Sequence, residues 1–207
     1  NLGIHIPAAR IYAIDNADPV LDVASYNIRA HNVADRVHLL SGNLLEPLPE
    51  PVEMSDLPFN NGVEALTLLS DGSLLALSEG KRDRDAVVGW ISDRNGWSVL
   101  TYRAADGFRV TGAATHPGGD VLVLERLFTL RGENAIRLKR ITAAAIKAGA
   151  RLDGKTIAEL RPPLTIDNFE GIEARQGPRG EVLVYLVSDD NFNTEQRTLL
   201  MMFELLE

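Results

Sequence analysis

Glu64 and Glu170 occupy the same place in two copies of one short motif. Asn61-Gly62-Val63-Glu64-Ala65-Leu66 leads into two apolar runs around Asp71-Gly72, and Asp167-Asn168-Phe169-Glu170-Gly171-Ile172 leads into the run ending at Ser188-Asp189-Asp190-Asn191. A middle copy carries Thr111 where the others carry the acid. Two carboxylates brought together from distant parts of a chain can divide acid and base work on a hydrolysable bond. With further carboxylates they can also supply the hard oxygen ligands that Ca²⁺ prefers. The candidates for such a cation are Glu64, Glu79, Glu170, Asp189 and Asp190. Glu64 and Glu170 are the catalytic candidates, and Arg126, Asn191 and Arg197 are placed to hold a substrate. A local reading stays open beside this one, in which each Glu accepts backbone N–H bonds at a strand entry and Ser-Asp-Asp-Asn is a turn.

The elements that must position these residues follow from the spacing. Position 111 lies 47 after position 64, and Gly119 lies 47 after Gly72, so the first two copies align without a gap. The third Glu is 59 residues beyond Thr111, which implies a hairpin loop about two residues longer. Repeated short hairpins at this period are how β-propeller blades read in sequence. Asp71-Gly72 between apolar runs is a hairpin signal. Pairing Leu69 with Leu74 sets Glu64 opposite Glu79, Thr111 opposite Arg126 and next to Glu125, and Glu170 beside Asp189 and Asp190. Outer strands follow in residues 86–92, 97–103, 135–141 and 198–206, with a helical turn over 142–150. The fold class expected is mainly β, a partial propeller of about three blades. Three blades do not close the ring that four to eight normally make. The chain is therefore expected to self-associate through an open flank, or to lean its N-terminal segment there.

Composition narrows the chemistry. The chain has 207 residues, a net charge of −8 and no Cys, which argues against nucleic-acid or anionic-membrane partners and leaves no thiolate for zinc or catalysis. No apolar run reaches the roughly 18 residues of a membrane helix. The histidine acid phosphatase motif Arg-His-Gly-x-Arg-x-Pro, the nucleophile elbow Gly-x-Ser-x-Gly, His-Glu-x-x-His and the phosphate-cradling Gly-x-x-x-x-Gly-Lys are all missing. His5, His31, His38 and His116 read as surface residues. The 81–84 stretch, Lys-Arg-Asp-Arg, reads as a solvated loop, and Trp90 and Trp97 suit outer-strand packing.

Residues 1–52 stand outside the repeat. A strand over 9–15, helical spacing over 19–31 and a second strand over 35–45 make a βαβ unit, and Pro47, Pro49 and Pro51 follow as a stiff connector. The chain opens on Asn1, without Met or signal peptide, which reads as a processed product or a fragment. The stretch from Ile11 to Val52 resembles the middle of class I S-adenosylmethionine-dependent methyltransferases, in particular the release-factor glutamine methyltransferases. The resemblance maps ribose recognition to Asp15 and adenine recognition to Asn43. The glycine-rich loop and the Asn-Pro-Pro-Tyr motif of that family are missing from this sequence. S-adenosylmethionine is therefore not expected to bind, and the segment reads as vestigial.

Residues 53–207 resemble the phytase-like family described by "esterase-like activity of phytase". The residues that carry this are 56–80, the internal Val-Leu-Val-Leu-Glu-Arg at 121–126, the Asp-Asn-Phe-Glu-Gly-Ile motif at 167–172 and the stretch 186–206. The resemblance implies a β-propeller, a hydrolase acting on a small-molecule ester or phosphoester, and a periplasmic or secreted setting. The expected activity is a hydrolysis assisted by a divalent metal, Ca²⁺ being the candidate. The alternatives are a calcium-stabilised binding module and a methyltransferase fragment.

Overall fold

In a computed structural model the described residues are 11–15, 25–26, 29, 37–41, 51–57, 62–81, 85–93, 96–129 and 132–206. The chain divides into two compact units, residues 1–49 and 50–207. In the first, strands β1 (Ile11–Asp15) and β2 (Val37–Ser41) pair in parallel, from Ile11 with Val37 to Asp15 with Ser41. Ser25, Tyr26 and Arg29 are helical, and Arg29 Nη2 donates to Ser25 Oγ one turn back at 2.8 Å.

Among its described residues the second unit holds three sheets, each built around one copy of the repeat. A 3₁₀ turn (Val52–Asp56) precedes β3 (Val63–Leu68), β4 (Leu74–Lys81), β5 (Ala86–Asp93) and β6 (Gly96–Arg103). The second copy gives β7 (Arg109–Thr115), β8 (Val121–Phe128) and β9 (Asn134–Ile141). A 3₁₀ turn (Ala143–Ala145) follows, then β10 (Arg151–Leu152) and β11 (Lys155–Leu160). The third gives β12 (Phe169–Gln176), β13 (Val182–Ser188) and β14 (Leu200–Leu205). The sheet orders are β10-β6-β5-β4-β3, β11-β9-β8-β7 and β12-β13-β14. The strands anticipated after each hairpin are present, and β10 and β11 add an outer edge to the first two sheets. The helical turn expected over 142–150 is confined to the short 3₁₀ turn, after which the Gly149 and Ala150 backbones bond to β6.

The register differs from the one expected. Leu69 N donates to Ser73 O, not to a group on Leu74, and Gly72 N donates to Leu69 O. The same pair of bonds recurs at His116–Asp120 and at Gly177–Glu181. Each hairpin therefore closes with a three-residue loop whose last residue is a glycine at positive φ: Gly72 at 86°, Gly119 at 96°, Gly180 at 89°. The third copy is longer in its strands, not in its loop.

Following the strands back from each loop brings a bulge at the repeat's signature position. Val63 pairs with Ser78 and Ala65 with Leu77, so Glu64 is the extra residue. Thr111 is skipped between Val110 and Gly112, and Glu170 between Phe169 and Gly171. Glu64 thus has no direct cross-strand partner in Glu79, nor Thr111 in Arg126, whose partner is Arg109. A bulge kinks the strand and re-aims one side chain.

Two apolar clusters hold the sheets together. Leu75, Leu77, Leu100, Val110, Val121 and Val123 fill the space between the first and second sheets. Leu122, Leu124, Ile136, Phe169, Val184 and Leu186 fill that between the second and third. Alternate residues of β8 serve opposite clusters, which is why that strand is apolar on both faces. The inner strands β3, β7 and β12 are successive neighbours. Thr67 and Thr115 hydroxyls meet at 2.9 Å across the first pair. On the far face of the first sheet, Trp90 is covered by Met54 and Leu57 and its indole N–H donates to Glu53 at 3.3 Å.

Candidate active site

The three bulges lie at one end of the stacked inner strands, and a cavity of about 310 Å³ opens among them. Glu64 from β3, Glu79 from β4, Thr111 from β7, Arg126 from β8 and Glu170 from β12 all line it. All three sheets therefore contribute to one site. Glu79 and Arg126 hold equivalent places in the repeat, each 15 residues after the bulge residue of its own copy.

Partial burial pushes the Glu64 carboxyl above its ordinary value, and the Glu79 and Glu170 carboxylates push it further in the same direction. Glu64 remains open to solvent, so the three charges are near enough to interact without being sealed off. Arg126 shows the complementary effect. Burial pulls its guanidinium below its usual value, while Glu170, Asp167 and Glu79 pull it back up. Its Nε is buried and has no hydrogen-bond partner among the described residues. Its guanidinium lies 5.3 Å from the Phe128 ring, within cation–π range.

Arg109 also lines the cavity and was not anticipated from the sequence. It pairs with Glu79 at 3.0 Å and sits directly across the strand pair from Arg126. Like charges at directly opposed positions are destabilising unless anions compensate. The signal for it was its place two residues before Thr111, where the other copies carry Gly62 and Asn168. Thr111 does not act as a shortened acid: its hydroxyl donates to Phe169 O at 3.1 Å and ties β7 to β12.

The other candidates lie apart from the cavity lining. Asp189 Oδ1 accepts from Asn191 N, and Asp190 accepts from Phe192 N and from the Thr198 hydroxyl. These bonds shape the loop after β13, in which Asn191 and Phe192 take positive φ of 50° and 54°. Asn191 Nδ2 donates to Gln196. Arg197 approaches Asp167 at 3.6 Å, and its backbone N–H donates to the same carboxylate at 3.1 Å. The five-carboxylate calcium set is thus divided, three at the cavity and two in the loop. Among the described residues no three His, Cys, Asp or Glu gather closely enough to hold an ion. Glu125 is fully buried on the opposite face of β8. The Asp15 side chain and Asn43 lie outside the described residues.

Stacked antiparallel hairpins, each contributing a bulge residue to a common charged cavity, define a mainly β repeat protein with a site at the inner strand ends. The chain belongs to the Phytase-like family, "esterase-like activity of phytase", whose model matches residues 9–192. That match runs through both units of the chain. A curated relative, the release factor glutamine methyltransferase of Gloeobacter violaceus, is 34% identical over 95 residues, which is 42% of this chain. The chain spans 33% of that relative's length. A solved structure of a protein of unknown function from Bacteroides caccae aligns over 70% of this chain and 62% of its own, with 10% identity and a TM-score of 0.31.

Proposed function

We propose that this chain is a phytase-like hydrolase of anionic esters or phosphoesters, its three sheets being blades of a β-propeller and its working site the cavity at their inner ends. The observation that carries the reading is the gathering of Glu64, Glu170 and Arg126 from three sheets at one cavity. Their electrostatics suit distinct roles. Glu64 keeps its proton to higher pH than an ordinary Glu, which fits a general acid. Glu170, on the third sheet, is the general base.

In the reaction, Glu170 takes a proton from water as the water oxygen bonds to the carbonyl carbon or phosphorus. The bond to the leaving oxygen breaks, and that oxygen takes the proton held by Glu64. A second proton exchange with solvent restores both carboxyls. Arg126, with Arg109 beside it, holds the substrate's anionic group and offsets charge that develops during attack. Glu79 keeps Arg109 in place through their ion pair.

The test is hydrolysis of p-nitrophenyl phosphate and p-nitrophenyl acetate by the intact chain, by Glu64→Gln and by the intact chain with chelator. Turnover that falls in Glu64→Gln and persists with chelator supports the carboxylate route. Turnover abolished by chelator, with the fold unchanged by circular dichroism, would assign the chemistry to a divalent metal instead. No turnover of either ester would contradict the hydrolase reading.

A further inference from the structure

The contact between successive sheets follows a rule that two faces of the molecule leave unfulfilled. The residue after each bulge faces the next sheet. Ala65 packs into the core between the first and second sheets. Gly112 lies against the third, so closely that a Cβ there would come within 3.1 Å of Ile172 and 3.2 Å of the Glu170 carbonyl. The third copy has Gly171 at this place. The cross-strand partners of these three residues are Leu77, Leu124 and Val187. Leu77 and Leu124 are fully buried, whereas Val187 is 43% exposed. Val187 pairs with Leu200, and Tyr185 with Met202, which extends the apolar patch across the same face. Leu200 and Met202 are 73% and 60% exposed.

The opposite face obeys the same rule in reverse. One residue further along, Ala113 is buried against the first sheet and Ile172 packs against the second. Their equivalent in the first copy, Leu66, is 57% exposed, and Leu68 beside it is 61% exposed. Met54 and Leu57 pack around Trp90 on that face together with Val63 at the start of β3, which leaves Leu66 and Leu68 further along that strand exposed. Among the described residues, the second unit therefore presents two complementary halves of an interface that it makes twice internally. A surface of exposed aliphatic side chains of this kind marks an association site.

We infer that two copies of this chain associate, the third sheet of each stacking on the first sheet of the other, to close a six-sheet ring about a twofold axis. A second copy is the occupant because it presents the very face that the internal interfaces use. Three sheets and three make six, inside the range of about four to eight at which such rings close. Because each seam joins unlike faces, closure leaves neither patch exposed. It also sets Glu64 of the second copy at the seam that Glu170 borders. The inference rests on the blade reading given above and is independent of the hydrolase chemistry.

Light scattering coupled to size exclusion, at high micromolar concentration, tests it on the whole chain. The expected mass is about 45 kDa, twice the 22.6 kDa of one chain. Leu66→Glu and Val187→Glu should each give monomers with an unchanged far-UV spectrum, and Leu66→Ser serves if the glutamate disturbs the fold. Mixing the two glutamate variants should restore dimers, because one seam then has two native faces. A monomeric wild-type chain overturns the inference. So does a dimer that survives Leu66→Glu, since the third sheet would then be pairing with itself, and so do open-ended oligomers. Hydrolysis can fail or succeed in each case without altering these outcomes.

Discussion

Glu125 and Arg126 are adjacent on β8, and their side chains lie in opposite kinds of environment. Glu125 is fully buried between the first and second sheets. It accepts from the Tyr102 hydroxyl at 2.8 Å and lies 3.8 Å from Lys139 Nζ and 3.7 Å from Arg137 Nη1. Both cations have further partners. Lys139 donates to Arg103 O, and Arg137 binds Asp106 and Glu159 and lies over Phe108 at 3.8 Å. Arg126 faces the cavity with a buried Nε that no described residue engages. A charge sealed among fixed partners staples sheets together, whereas a charge held partly dry and under-bonded beside a cavity is poised for a ligand. Charge density alone does not separate the two regions. Nor does one unmet buried atom, since Glu125 Oε2 and Arg126 Nε are each without a hydrogen-bond partner among the described residues; what separates them is that Glu125 is ringed by Tyr102, Lys139 and Arg137, whereas Arg126 opens on the cavity.

The buried carboxylate should respond most strongly to substitution. Glu125→Ala leaves Lys139 and Arg137 without their shared anion, and should cost about 3–5 kcal/mol in urea unfolding. Cavity kinetics could not be read in a variant so destabilised, so it serves as a stability probe alone. Arg126→Gln should behave in the opposite way. Stability should change little, while kcat/KM for an anionic ester falls roughly 10–100-fold, the loss of one charge-assisted hydrogen bond of about 1.5–3 kcal/mol. A neutral ester should be affected less, and an equal loss for both would place Arg126 outside substrate recognition.

The pH dependence sharpens the same contrast. The folded-state pKa of Glu64 is raised above 4.5. Between the unfolded value and the raised one, the native state keeps a proton that the unfolded chain has released. Stability from this group therefore falls as pH rises through that window. Relative to wild type, Glu64→Gln should gain stability as the pH rises above 4.5, the ordinary glutamate value, and the gain should level off beyond the raised one. Denaturation midpoints at several pH values will show this, and a difference that stays flat would mean that Glu64 is an ordinary solvated acid. The smallest effect is expected at Thr111→Val, which removes the bond to Phe169 O and should cost about 1 kcal/mol, with little change in KM.

The convergence of Glu64, Thr111 and Glu170 was legible because repeated residues take repeated places, whatever the details of each hairpin. The bulges that aim them were not. The three-residue loops shift the pairing by one residue from that of Leu69 with Leu74, and one residue is enough to exchange the faces of a strand. A second shift at each bulge then returns the signature residue toward the cavity. Asp189 illustrates the opposite failure. Its position matches Glu79 and Arg126, but the following residues form an Asx-type turn that uses its oxygen locally. Arg109 escaped notice because its equivalents, Gly62 and Asn168, carry no charge. The outermost strands β10 and β11 escaped because short edge strands leave little pattern to read.

In the proposed reaction the bulge carboxylates of separate sheets do chemistry together, and Glu170→Gln removes one of the two. The exchange keeps shape and removes the base, and Glu170 is exposed at the cavity, away from the buried cores. Steady-state hydrolysis of p-nitrophenyl phosphate should show kcat/KM lowered by about 10²–10⁴-fold, the usual contribution of a positioned acid or base, with an unchanged melting temperature. Activity equal to wild type in a folded Glu170→Gln chain would contradict the account and leave each bulge acid as a local feature of its own hairpin.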